Sequence, residues 1–273
     1  MSRRHVRSGA AHLSVDENGD VDGAPVLLLH AGVTDSRSWD PLIERIDERT
    51  RHVRYDARGY GVSSYEAEDG WSPVDDAVAV LDACEMDAAI LVGCSIGAAT
   101  AIDLALARPE RVSALVLIAP AINGAPDPQL EPFAGELDRA IDQADSRDDL
   151  EEVNRLEAHF WLDGPGHSGR VAGSARALFF EMNGRALAAD DPGTPAVSAD
   201  AFSRLGEISV PTLVLVGGLD LAHVRENAGY AAASIPHARL VELDDVAHLP
   251  QLEGHLPTLS TIVEFIDSVA AGR

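Results

Sequence analysis

A serine hydroxyl acts as a nucleophile only when a base removes its proton and a third group holds that base in place. Three residues of this 273-residue chain have the types and settings for those roles. Ser95 sits in Gly93-Cys94-Ser95-Ile96-Gly97, between the apolar run Ala89-Ile90-Leu91-Val92 and a helical pattern of small residues. The two glycines let the backbone fold tightly at Ser95 and let the next helix pack closely on the strand, which pushes the hydroxyl into a cleft. Asp220 ends the turn Gly217-Gly218-Leu219-Asp220 after one apolar run, and His248 lies in Asp244-Asp245-Val246-Ala247-His248-Leu249-Pro250 after the next. Both therefore stand at the carboxyl ends of strands, where open α/β sheets gather cleft residues, on the same edge as Ser95. Asp244 and Asp245 compete with Asp220 for the orienting role.

Attack of Ser95 on a carbonyl creates a negative oxygen that preorganised amides can hold. Ile96, at the start of the helix after Ser95, offers one such amide, where the helix dipole already favours an anion. The loop His30-Ala31-Gly32-Val33-Thr34 offers the other, and Gly32 allows a close backbone approach there. His30, at a strand end, is expected to orient this loop rather than to react. The stretch Asp56-Ala57-Arg58-Gly59-Tyr60-Gly61-Val62-Ser63 is glycine-rich, but it lacks the Gly-x-Gly-x-x-Gly spacing and no lysine follows, which argues against a nucleotide site. Asp56 and Arg58 are expected to form a structural ion pair there.

The elements that must position these residues alternate. Strands are expected at 10–15, 26–30, 53–56, 89–92, 112–119, 210–216 and 239–243, with a hairpin turn at 16–23. Helices are expected at 41–47, 74–86, 96–107 and 225–234, and the segment 255–271 closes the fold with Leu256, Leu259, Ile262, Val263, Ile266 and Val269 on one face. Such alternation is the signature of crossover units and a mostly parallel, twisted sheet flanked by helices. It stops between 122 and 206, where acidic helical stretches at 133–144, 148–162 and 173–188 predict a helical cap inserted between core segments 1–121 and 207–273.

With 45 acidic against 21 basic residues, a net charge of −24 argues against nucleic acid or an anionic membrane as partner. Every basic residue is an arginine, so Schiff-base chemistry and a phosphate-loop lysine are excluded. Cys84 and Cys94 form no metal or disulfide framework, and the basic stretch 1–7 lacks the apolar region of a signal peptide; the expected setting is the cytoplasm. No apolar run reaches the roughly 20 residues of a membrane helix. No metal or organic cofactor is called for, and a homodimer is one possible assembly.

Together with Trp39-Asp40-Pro41, Arg108-Pro109-Glu110-Arg111-Val112 and Ala247-His248-Leu249-Pro250, these motifs make the chain resemble the α/β-hydrolase superfamily, in its branch of small cap-bearing esterases, lactonases and C-C hydrolases. The run Thr34-Asp35-Ser36-Arg37-Ser38-Trp39-Asp40-Pro41 is particularly similar to that of 3-oxoadipate enol-lactonases. The resemblance implies the α/β-hydrolase fold, a Ser95-His248-Asp220 triad, an oxyanion hole of Gly32 and Ile96, and hydrolysis of a small ester or lactone without a cofactor. Three departures are visible: His30-Ala31 replaces the usual His-Gly, the Gly-Gly-Gly-Pro loop of many C-C hydrolases is absent, and Ser95 replaces the Asp of dehalogenases and epoxide hydrolases. Val33 and Trp161 are the expected pocket residues, with His159, Phe160, Phe179, Phe180 and Met182 lining either an acyl pocket or the cap's own core. A C-C bond hydrolase, or a binding protein that has kept the triad, are the alternatives.

Overall fold

Continuously apolar runs become strands buried on both faces, as a parallel sheet covered by helices requires. The computed structural model describes residues 2–198 and 200–272. In chain order its elements are β1 (Ser2–Ser8), β2 (Ala11–Asn18), β3 (Val26–Leu29), α1 (Asp40–Ile43), β4 (His52–Tyr55), β5 (Ser64–Tyr65), α2 (Pro73–Ala83), β6 (Ala89–Cys94), α3 (Ile96–Ala107) and β7 (Val112–Ile118). After these come α4 (Pro132–Asp145), α5 (Leu150–Glu157), α6 (Gly173–Leu187), β8 (Thr212–Gly217), α7 (Ala222–Ser234), β9 (Arg239–Leu243) and α8 (Leu256–Ala271). The sheet runs β1-β2-β4-β3-β6-β7-β8-β9, with β5 on β2. From β4 to β9 neighbouring strands are parallel, and Leu27 of β3 lies between Val53 of β4 and Leu91 of β6. Every residue of β3, β6 and β8 is buried. The core also takes Leu259, Ile262 and Ile266 of α8, the helix expected to close the sheet.

Two sequence expectations need correction. The basic segment at the N-terminus is itself a strand, and the hairpin turns at Gly9 (φ +52°), with Ser8 opposite Ala11, not at residues 16–23. Its charges explain its place at the sheet edge: Arg3 binds Asp16 at 2.8 Å and Arg4 binds Glu17 at 2.6 Å on β2. The expected Asp56–Arg58 pair does not form. Asp56 instead accepts the amides of Ser36 and Val62, while Arg58 forms a fork on buried Asp76 and reaches Glu68. The two neighbouring charges thus take separate partners, because a carboxylate in a turn is well satisfied by backbone donors.

Between β7 and β8 the chain makes α4, α5 and α6, with a π-helical turn, Ala158–Asp163, running on from α5. The sequence expectation of one helix over 148–162 therefore meets two helical forms. No helix among the described residues is long and apolar enough to cross a membrane.

Candidate active site

Ser95 caps α3 in a conformation that L-residues rarely adopt, φ +55° and ψ −117°. Strain of this kind persists only where the surroundings over-determine it. Here the Ser95 amide donates to Ile118 O at 3.0 Å, and the Ser95 carbonyl accepts from Ala98 and Ala99 at 2.9 and 3.0 Å. The flanking glycines are needed for contact as well as for the turn. A Cβ on Gly97 would lie 2.2 Å from Leu29 O, and one on Gly93 2.4 Å from Gly97 O. The first-turn amide of Ile96 has no carbonyl behind it within the helix.

Asp220 and His248 are brought together by the ends of β8 and β9. The backbone joins the two loops: Gly218 N–H donates to Leu243 O at 2.7 Å and Leu219 N–H to Val246 O at 3.0 Å. His248 Nδ1 lies 2.8 Å from Asp220 Oδ2, and the Leu221 amide holds the other carboxylate oxygen at 2.8 Å. Both side chains are buried. Since the carboxylate is an acceptor, Nδ1 carries the proton and Nε2 is left with a free lone pair. Asp244 and Asp245 do not take this place; Asp245 reaches His255 Nε2 instead. Cys94, buried behind Ser95, donates its thiol to His248 O at 3.5 Å, and burial raises its pKa.

Ser95 and His248 line one cleft of about 250 Å³ together with Ala119, Ile122, Trp161, His223 and Asn227. They share it without a hydrogen bond between them. Trp161 packs its ring 4.6 Å from the His248 ring, at 46°. It reaches there because the π-turn docks on both core loops: Gly164, at φ +88°, sits so close that a Cβ would lie 2.5 Å from Leu219 O and 3.1 Å from Ala247 Cβ. Asp163, fully buried, closes that turn by accepting the amides of Gly169 and Val171 and the Arg176 guanidinium.

The loop after β3 is held by His30. Its Nε2 accepts the Ala57 amide at 3.0 Å, which leaves Nδ1 to donate to Ala31 O at 2.8 Å. Thr34 adds its amide and hydroxyl, both at 3.1 Å, to the same carbonyl. In a trans peptide C=O and N–H point opposite ways, so pinning Ala31 O turns the Gly32 N–H away from these three donors. This agrees with the orienting role expected of His30. Burial works to raise the pKa of Asp35 in the same loop, and its hydrogen bonds from Arg37 overcome that and hold it below the usual range.

Of the residues expected to line a pocket, Trp161 does line the Ser95 cleft. Val33 packs half-buried against the core, Phe160 and Phe179 are buried, Met182 is buried with its sulfur accepting the Asp35 amide of the loop after β3 at 3.4 Å, and His159 faces Phe133. His223 and Asn227 were not singled out, because a polar residue on the helix after an acidic turn has no distinguishing sequence pattern. Burial lowers the pKa of His223. No group of three or more His, Cys, Asp or Glu side chains placed to hold a metal occurs among the described residues.

A parallel sheet with a strained serine between β6 and α3, and a His–Asp pair at the ends of β9 and β8, defines the α/β-hydrolase class. The model of the alpha/beta hydrolase family matches residues 26–257, and the chain belongs to that family. A rhodomycin D methylesterase of a Streptomyces species is 30% identical over 96% of this chain and 97% of its own length. Among solved structures, an N-acyl homoserine lactone degrading enzyme superposes with a TM-score of 0.72 at 27% identity, covering 97% of this chain and 99% of that one. The enol-lactonase of Burkholderia xenovorans gives 0.75 at 21% identity over 97% and 100%, a likeness of fold. The chain is thus a hydrolase whose relatives include esterases.

Proposed function

We propose that the chain is a serine hydrolase that cleaves a small carboxylic ester or lactone through an acyl-enzyme on Ser95. The single observation that carries this reading is the 2.8 Å His248–Asp220 bond in the wall of the cleft that Ser95 faces. His248 Nε2 takes the Ser95 proton as the hydroxyl attacks the carbonyl carbon, and Asp220 stabilises the imidazolium that results. The amides of Ile96 and Gly32 hold the oxyanion, and His248 returns the proton to the departing alcohol. Water, activated by the same histidine, then releases the acid. The helical insertion, 122–206, acts as a cap: it supplies Trp161, which covers one face of His248 and limits water access to it.

The methylesterase and lactone-degrading relatives favour an ester or lactone as substrate. The test is a panel of p-nitrophenyl esters and lactones given to the wild type and to Ser95→Ala. Loss of the nucleophile is expected to lower kcat by about 10⁴-fold to 10⁶-fold. Hydrolysis that survives the substitution would overturn the reading.

A further inference from the structure

A second chamber, of about 340 Å³, opens beside the N-terminus of α3. Ser95 fronts the cleft, Ile96 fronts the chamber, and Ala121 lines both, so the two spaces adjoin at the start of α3. The chamber wall is largely apolar, with Leu29, Tyr55, Trp71 and Ala99 beside Ile96 and Ala121. Residues 190–198 form a strap along its edge, tied down where Trp71 Nε1 donates to Gly193 O at 3.0 Å and Ala196 N–H donates to Trp71 O at 2.7 Å.

The charges in the chamber wall limit what it can hold. Arg58 spends its guanidinium on Asp76, Glu68 and Ser8 O, so it offers no free charge to an anionic group. At another point of the wall Asp103 accepts from Asn123 Nδ2 at 2.7 Å through Oδ2, while its Oδ1 is buried with no partner. A buried oxygen without a donor is costly, and a hydrogen-bond donor on a ligand would relieve it. Burial raises the Asp103 pKa, as expected for a carboxyl short of partners.

The direction of the reaction assigns the two spaces. The departing alcohol must lie beside His248, which protonates it, and His248 belongs to the smaller cleft. The acyl half then extends past Ile96 towards the larger chamber. We propose, on the reading of Ser95 as nucleophile, that this chamber binds an apolar acyl arm and that Asp103 accepts a hydrogen bond from a hydroxyl or ammonium group on that arm.

The experiment uses the full chain and ethyl esters of medium-length arylalkanoic acids, matched with and without a terminal hydroxyl or amine, alongside ethyl acetate. The wild type is expected to favour the donor-bearing esters by about tenfold in kcat/KM, the value of one hydrogen bond to a charged group. Asp103→Ala should abolish that ratio, and Asp103→Asn, which keeps an acceptor, should keep it for the hydroxyl ester and lose it for the amine. Ala99→Phe, which fills the chamber, should lower the ratio of long-acyl to acetate turnover at least tenfold. Thermal melts confirm that each variant is folded. Equal rates for the matched esters in the wild type, or a ratio untouched by Asp103→Ala and Ala99→Phe, would overturn the proposal. Ester hydrolysis that depends on Ser95 but shows no acyl preference sinks the chamber alone, whereas hydrolysis independent of Ser95 sinks the nucleophile reading beneath it.

Discussion

Replacing Asp163 by alanine should release the turn that holds Trp161 against His248. The carboxylate has no exposed surface, and it accepts the amides of Gly169 at 2.7 Å and Val171 at 2.9 Å as well as the Arg176 guanidinium. An amide left buried without a partner costs about 1–3 kcal/mol. Arg176 is about a quarter exposed, so water takes over part of its pairing and its share is smaller than that of a fully buried ion pair. The sum is about 3–5 kcal/mol, a large fraction of the roughly 5–15 kcal/mol that stabilises a domain. Urea unfolding should show this as a lower midpoint at unchanged slope, with Tm falling by roughly 10 °C. Asp163→Asn keeps one acceptor oxygen and should lose about half as much. Because the same turn positions Trp161, kcat/KM for an ester should fall with stability, and the tryptophan fluorescence should shift towards that of an exposed indole. Asp163→Ala with stability within about 1 kcal/mol of the wild type and unchanged fluorescence would refute the reasoning.

Gly97→Ala forces a Cβ to 2.2 Å from Leu29 O, so α3 must move off β3; a loss of about 1–3 kcal/mol in thermal unfolding and at least a tenfold drop in kcat are expected. In Asp220→Asn the Leu221 amide keeps the one remaining oxygen and the side-chain NH2 turns a donor towards His248 Nδ1, which forces the wrong tautomer, and kcat should drop by about 10⁴-fold while Tm changes little. His52, His159 and His223 are each pulled by burial below the ordinary histidine pKa of 6.5. Below pH 6.5 the unfolded chain takes up protons that the folded one resists, so this contribution to stability is present above that pH and is lost as pH falls. Tm measured from pH 8 to pH 5 should decline, and His52→Gln should make the decline shallower.

Much of the site was legible because its residues occupy places that the fold cannot vary freely. Gly93 and Gly97 are glycines for want of space, Asp220 follows the apolar run of the buried strand β8, and His248 follows the next strand, β9, just ahead of the closing helix; these facts can be read from residue types in order. The N-terminal strand was not legible, since an edge strand rich in arginine has no apolar run, and only its acidic partners on β2 reveal it. The Asp56–Arg58 pairing failed for a related reason: nearness in sequence says little when the competing partners, Asp76 of α2 and the Ser36 amide after β3, come from other parts of the chain. The chamber beyond Ile96 is assembled from β3, β4, α2, α3 and the strap at 190–198, so no local pattern announces it.

The most direct measurement is to treat the protein with a serine-directed alkyl phosphonate and to map the adduct by tandem mass spectrometry. The account predicts one adduct, on Ser95, formed at a rate that falls sharply in His248→Ala. An adduct on another residue, or a protein that remains unlabelled while it hydrolyses esters, would contradict it.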